Sequence, residues 1–91
     1  MRKELLNPEH PELATALDAL GALYLAEGKY DLADPLLNRA TEIRERRLRP
    51  GHPDLATSLE NYAALLQKTG RGAQASELER RAREIRLTKS E

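Results

Sequence analysis

Residues 10–28 read HPELATALDALGALYLAEG, and residues 52–70 read HPDLATSLENYAALLQKTG. The second stretch lines up with the first when that is displaced by 42 positions. The match continues beyond the glycines: Ala33, Leu36, Arg39 and Ala40 fall on Ala75, Leu78, Arg81 and Ala82, and Glu42-Ile43-Arg44 falls on Glu84-Ile85-Arg86. From His10 to Arg44, 16 of 35 positions are identical to those 42 residues later, with no gap. Self-similarity at a period of this size marks an array of small supersecondary units that bury their apolar faces by stacking.

Each copy reads as two helices. Pro11 and Pro53 suit the first helical position, where a missing N–H costs nothing. Glu12 and Asp54 place a carboxylate against the positive end of the dipole. Apolar residues then recur at helical spacing, Leu13, Leu17, Leu20 and Tyr24 in one copy, Leu55, Leu59, Tyr62 and Leu66 in the other. Gly28 and Gly70 tolerate the left-handed backbone that ends a helix. The next helix of the first copy is expected to start with Asp31 as N-cap. Pro35 would then fall in its first turn, where its lost N–H would have no partner. Leu32, Leu36, Ala40 and Ile43 extend the stripe, and Arg44, Arg46 and Arg47 crowd the negative end. Pro50-Gly51 breaks the chain. The expectation is an all-α chain with helices at roughly 11–27, 31–48, 53–69 and 73–87, packed antiparallel because the connections are short.

Composition limits what such a chain can do. Its 91 residues make one domain, 40% apolar and 33% charged, which suits amphipathic helices. Tyr24, Tyr30 and Tyr62 are its only aromatics, so the core must be built from Leu and Ala. A formal charge of zero argues against nucleic acid or anionic lipid as main partner, since both require a basic surface. The absence of cysteine excludes disulfides and thiolate chemistry. No apolar run follows Met1-Arg2-Lys3, so neither a signal peptide nor a membrane span is read. The expected setting is the cytoplasm, for a soluble protein or a piece of one.

Leu17-x2-Leu20-Gly21-x2-Tyr24 resembles the W-x2-L-G-x2-Y signature of the tetratricopeptide repeat, with Leu in place of Trp. Gly28 and Tyr30 match that family's turn, and Ala33 and Ala40 match the small residues of its second helix. A larger side chain at Gly21 or Ala33 should splay the helix pair. The usual period is about 34 residues. The period of 42, the His-Pro openings and the Glu42-Ile43-Arg44-Glu45 ending resemble the kinesin light chain variety. The resemblance spans residues 6–87. It implies an α-solenoid that serves as a protein-interaction scaffold, with no enzymatic activity and no cofactor.

In that frame residues 1–9 are the stub of a preceding second helix and its loop, since Met1-Arg2, Leu6 and Pro8 fall on Ile43-Arg44, Leu48 and Pro50. Residues 10–51 are the first repeat, 52–87 the second and 88–91 a tail. The second repeat departs from the first: Gln67, Gly72, Gln74, Glu77 and Glu79 replace Leu25, Tyr30, Leu32, Pro35 and Leu37. A second helix this polar reads as a C-terminal cap. The front of the first repeat is the opposite case, with Leu13, Leu20 and Tyr24 uncovered. Further repeats or a homo-oligomer are expected to cover them. The family's groove positions, carried over one by one, are Thr15, Asp18, Ala22, Leu25 and Ala26, then Thr57, Glu60, Ala64, Gln67 and Lys68. Asn61 matches the asparagines that kinesin light chain-like repeats offer to a peptide backbone, while Ala19 stands there in the first repeat. Asp18 and Glu60 occupy positions where a carboxylate-gripping subfamily has lysine, which points to a neutral or basic segment as ligand. The plainer reading of each is a solvated helix residue.

The remaining constellations are weak. His10 and His52 have no Cys, Asp or His in ligand register and read as helix caps rather than metal ligands. The run Arg44, Arg46, Arg47, Arg49 and the set Arg80, Arg81, Arg83, Arg86 lack the interleaved aromatics of a nucleic-acid site. With Glu42, Glu45, Glu79 and Glu84 among them they read as solvated, charge-paired helix faces. No serine or threonine has a histidine with which to share a catalytic pocket, and Gly70-Arg71-Gly72 is a turn between helices, not a phosphate loop.

Overall fold

The computed structural model describes residues 10–89, with side chains described from His10 to Leu87. It contains four helices, α1 (Pro11–Ala26), α2 (Tyr30–Arg47), α3 (Pro53–Lys68) and α4 (Gly72–Lys89). Every boundary of the second pair is that of the first plus 42. No strand occurs among the described residues. The expected stub at residues 1–9 lies outside them, and the expected tail begins as helix, since α4 reaches Lys89. Helices α1 and α2 pack on each other, α3 and α4 do likewise, and α2 packs on α3. The result is a slab of 43 × 37 × 16 Å.

The punctuation works as its chemistry requires. His10 Nδ1 accepts the backbone N–H of Glu12 at 3.1 Å, and His52 Nδ1 accepts that of Asp54 at 3.0 Å. Both histidines are therefore helix caps, and each satisfies an otherwise orphaned donor. Gly28 and Gly70 take φ of 79° and 81°. Past them, Lys29 N–H donates to the carbonyl of Tyr24 and Arg71 N–H to that of Leu66, both at 2.8 Å. This is the paired-carbonyl closure that a left-handed residue permits.

Two expectations for α2 need correction. The helix starts at Tyr30 with Lys29 as its cap residue, which makes no side-chain capping bond, so Asp31 is a first-turn acid rather than the N-cap. Pro35 also lies beyond the first turn. Ala33 N–H already bonds Lys29 O at 3.0 Å, so Pro35 removes an interior bond to the Asp31 carbonyl. The helix continues because Ala33 and Leu37, on either side of the proline, are both fully buried.

Alanine and leucine fill the core, as the scarcity of aromatics requires. Ala33, Leu37 and Leu65 form one cluster at the junction of the repeats, with Tyr24, Leu25, Tyr30 and Tyr62 packed around it. Close approach is essential between α1 and α2: a Cβ built on Gly21 would lie 2.6 Å from Leu37 Cδ2. The second repeat has Ala63 and Glu79 at these two places. Its smaller residue can gain a methyl because no leucine stands opposite. On the front of the first repeat Leu13, Leu20 and Leu23 are 38%, 41% and 53% exposed. Tyr24, expected to share that face, is instead half-buried in the junction cluster.

Candidate protein-interaction site

Arg44, near the end of α2, donates four side-chain hydrogen bonds. Its Nη1 donates to Asp18 Oδ2 at 2.6 Å, to Ser58 Oγ at 3.0 Å and to the Asp54 carbonyl at 3.0 Å. Its Nη2 donates to Thr15 Oγ1 at 3.1 Å. The Ser58 hydroxyl in turn donates to Asp18 Oδ2, and Asn61 Nδ2 reaches Asp18 Oδ1 at 3.4 Å. Asp18 and Arg44 are only 5% and 6% exposed. Three helices from two repeats thus converge on one buried ion pair. Among the described residues no buried side-chain nitrogen or oxygen lacks a hydrogen-bond partner. A buried pair is tolerated only when its remaining donors and acceptors are satisfied, and here Ser58, Thr15 and the Asp54 carbonyl satisfy them.

The same constellation recurs one repeat later. Arg86 Nε and Nη2 grip the two oxygens of Glu60 at 2.7 and 2.8 Å, and Nη2 reaches Thr57 Oγ1 at 3.2 Å. Arg86, Glu60 and Thr57 are Arg44, Asp18 and Thr15 displaced by 42. This copy is open to solvent, with the two charged side chains 43% and 46% exposed. The hydrogen bonds from Arg86 hold the Glu60 carboxyl below its ordinary range, against a smaller opposing effect of burial. Glu60 in turn raises Arg86.

These contacts engage five of the predicted groove residues, Thr15, Asp18, Thr57, Glu60 and Asn61. Thr15, Thr57, Glu60, Gln67, Ala64 and Lys68 are exposed, while Ala22, Leu25 and Asn61 are half-buried. Asp18 is corrected outright: its carboxylate is buried on Arg44, not presented to solvent, because α3 closes over it. Glu60 is neutralised by Arg86. The preference for a neutral or basic segment, which rested on these two carboxylates being free, therefore loses its basis. Gln67 is engaged with Glu79 at 3.2 Å, and Leu25 packs on the junction cluster. Arg44 is corrected too, from a solvated face to the centre of the repeat junction.

The other charges largely stitch the surface. Arg81 pairs with Glu45 at 2.8 Å and Arg71 with Asp34 at 3.0 Å, both across the repeats. Arg80 pairs with Glu77 and Glu84 along α4. Among the described residues no three His, Cys, Asp or Glu side chains gather into a metal-binding group. No described helix is long and apolar enough to cross a membrane.

Two helix pairs with identical boundaries, joined through a buried small-residue junction, meet a family model described as tetratricopeptide repeat, which matches residues 1–46 and 22–88. The chain belongs to the tetratricopeptide repeat family. Tetratricopeptide repeats are generally protein-interaction modules rather than enzymes. No curated protein matches the chain. Among tetratricopeptide features, Gly21 and Ala33 were legible as contact residues before the structure. Ser58 and Arg44 were not, although Arg44 carried one signal: it is identical to Arg86 at a helix end where any cation would serve the dipole.

Proposed function

We propose that this tetratricopeptide chain is a protein-interaction module, of the kinesin light chain-like variety, that receives an extended segment of its partner along α1 and α3. The observation that carries the reading is the link of Asp18 to Ser58 and Asn61, which ties the two first helices side by side. Their outward stripes then form one strip through Ala22, Ala64 and Lys68. Small residues leave room for a peptide backbone there, and Lys68 offers a cation at the edge. The period of 42 and the His-Pro caps support the kinesin light chain-like assignment.

Selection of a displayed random peptide library, followed by anisotropy with the enriched peptides, tests this. Ala64→Arg should block binding while leaving the helical circular dichroism unchanged, because Ala64 is exposed. Undiminished affinity in that variant would move the site off the strip.

A second reading concerns the front of the first repeat. Leu13, Leu20 and Leu23 correspond to Leu55, Tyr62 and Leu65, and the last two of these pack with Ala33 and Leu37 of the first repeat. An apolar face of this kind favours self-association or a preceding repeat. Sedimentation equilibrium should show a concentration-dependent dimer that Leu20→Lys with Leu23→Lys abolishes. A monomer at every concentration would remove self-association.

A further inference from the structure

The open end of the second repeat carries a docking surface whose partner chemistry is written in the interior of the molecule. Between the repeats, Arg44 and Asp18 are covered by α3, which supplies the Ser58 hydroxyl, the Asp54 carbonyl and the Asn61 carboxamide, while Thr15 holds Arg44 from the exposed side. Arg86, Glu60 and Thr57 repeat the lower half of this junction with the same kinds of residue, an arginine on a carboxylate and a threonine hydroxyl, although Arg86 grips its carboxylate through Nε and Nη2. Above them lies an open pocket of about 450 Å³ lined by Glu60, Glu79, Arg83, Arg86 and Leu87. Displaced back by 42, these five are Asp18, Leu37, Thr41, Arg44 and Glu45. The first four of those are buried beneath α3.

One of the substitutions chooses the occupant. In the interior Leu65 rests in the cluster with Leu37. At the open end Glu79 replaces that leucine and Arg83 replaces Thr41. Glu79 Oε2 accepts from Gln67 at 3.2 Å, and a leucine laid over the carboxylate would strip the water from its other oxygen without replacing the water's hydrogen bond. A second copy of this chain stacked head to tail would do that. It would set Leu23 over Glu79, and it would offer Ala16 and Ala19 where Ser58 and Asn61 stand.

We infer that the α3–α4 end docks a helix hairpin of different sequence. Its first helix sets a hydroxyl over the Arg86–Glu60 pair and, seven residues on, a cationic side chain over Glu79. The charges of this end, which in the sequence read as those of a solvated C-terminal cap, are on this inference a selective joint that accepts one kind of neighbouring repeat and rejects the chain's own front. The claim is separate from the strip along α1 and α3.

The test extends the full chain. A copy of residues 50–89 attached directly to Glu91 preserves the register of 42 and places a copy of Ser58 over Arg86. Two versions are compared, one unaltered and one with L65K in the appended copy only. Amide hydrogen exchange reads the appended first helix. The L65K version should exchange more slowly than the unaltered one by at least about tenfold, the scale of one hydrogen bond to a charged group. That protection should disappear when R86A is introduced in the host repeat. Equal or greater protection with the leucine would overturn the selectivity, and so would no protection in either version. Protection that survives R86A would overturn the site.

Discussion

Arg44 and Arg86 stand 42 residues apart, each holding a carboxylate and a threonine hydroxyl, yet they do different work. The Arg44 side chain is 7% exposed and is closed over by the following repeat, while the Arg86 side chain is 43% exposed. The pairing is common to both, and the cover is not. What the difference teaches is that the cover, not the ion pair as such, turns the constellation into a structural joint. In water an ion pair is worth roughly 0–1 kcal/mol. Once buried, its partners cannot be removed singly without leaving a charge in low dielectric.

The comparison can be broken most severely at the arginines themselves. Arg44→Ala should destabilise the fold by about 3–5 kcal/mol, because Asp18 is left buried and uncompensated. Arg86→Ala should cost no more than about 1 kcal/mol. Urea titration followed by circular dichroism reads both, and equal costs would dissolve the distinction.

A second pair repeats the contrast in apolar residues. Leu65 is fully buried and Leu23, its counterpart one repeat earlier, is 53% exposed. Leu65→Ala should cost about 2–5 kcal/mol through cavity formation, and Leu23→Ala should stay within about 0.5 kcal/mol. Thermal unfolding of both variants at one protein concentration checks this. Gly21→Ala sharpens the comparison further. Its methyl would meet Leu37, so it should lose about 1–3 kcal/mol by overpacking, even though alanine is the better helix former. A Gly21→Ala variant as stable as the parent would show that the contact between α1 and α2 has slack.

The smallest expected effect is in acid. The Glu60 carboxyl is held below its ordinary 4.5 by hydrogen bonds from Arg86. A lowered folded value means that the pair's contribution is complete above the unfolded value and is lost as pH falls through the folded one. The Glu60 side-chain carboxyl, followed by NMR, should titrate below 4.5 in the parent and move back up in Arg86→Ala. An unmoved titration would mean that Arg86 is not what lowers it.

Much of the fold was legible because backbone chemistry is local. Pro11, Pro53, Gly28 and Gly70 each act through their own φ, so they marked helix ends within a residue. His10 and His52 were readable as caps for the same reason. Ion-pair burial was not legible, because it depends on a helix about 40 residues away closing over the pair. Asp18 fell on the right stripe of α1, but periodicity gives the angle around a helix and not the depth. Arg44 sat among Arg46, Arg47 and Arg49 at a helix end, where cations are ordinary. Only its recurrence together with Thr15/Thr57 and Asp18/Glu60 set it apart. Family likeness could not have helped with the strip along α1 and α3 either, since it transfers positions and not the intramolecular bonds that occupy Thr15, Glu60 and Gln67.

The central claim is that Arg44 locks the second repeat onto the first through Ser58. A double-mutant cycle of Arg44→Ala and Ser58→Ala, measured by urea unfolding of the parent, both single variants and the double variant, tests it most directly. The account predicts that the double variant is less destabilised than the sum of the singles, by a coupling of about 0.5–3 kcal/mol as for residues sharing one network. Additive effects would contradict it, because they would mean that the two repeats meet at this point without being joined there.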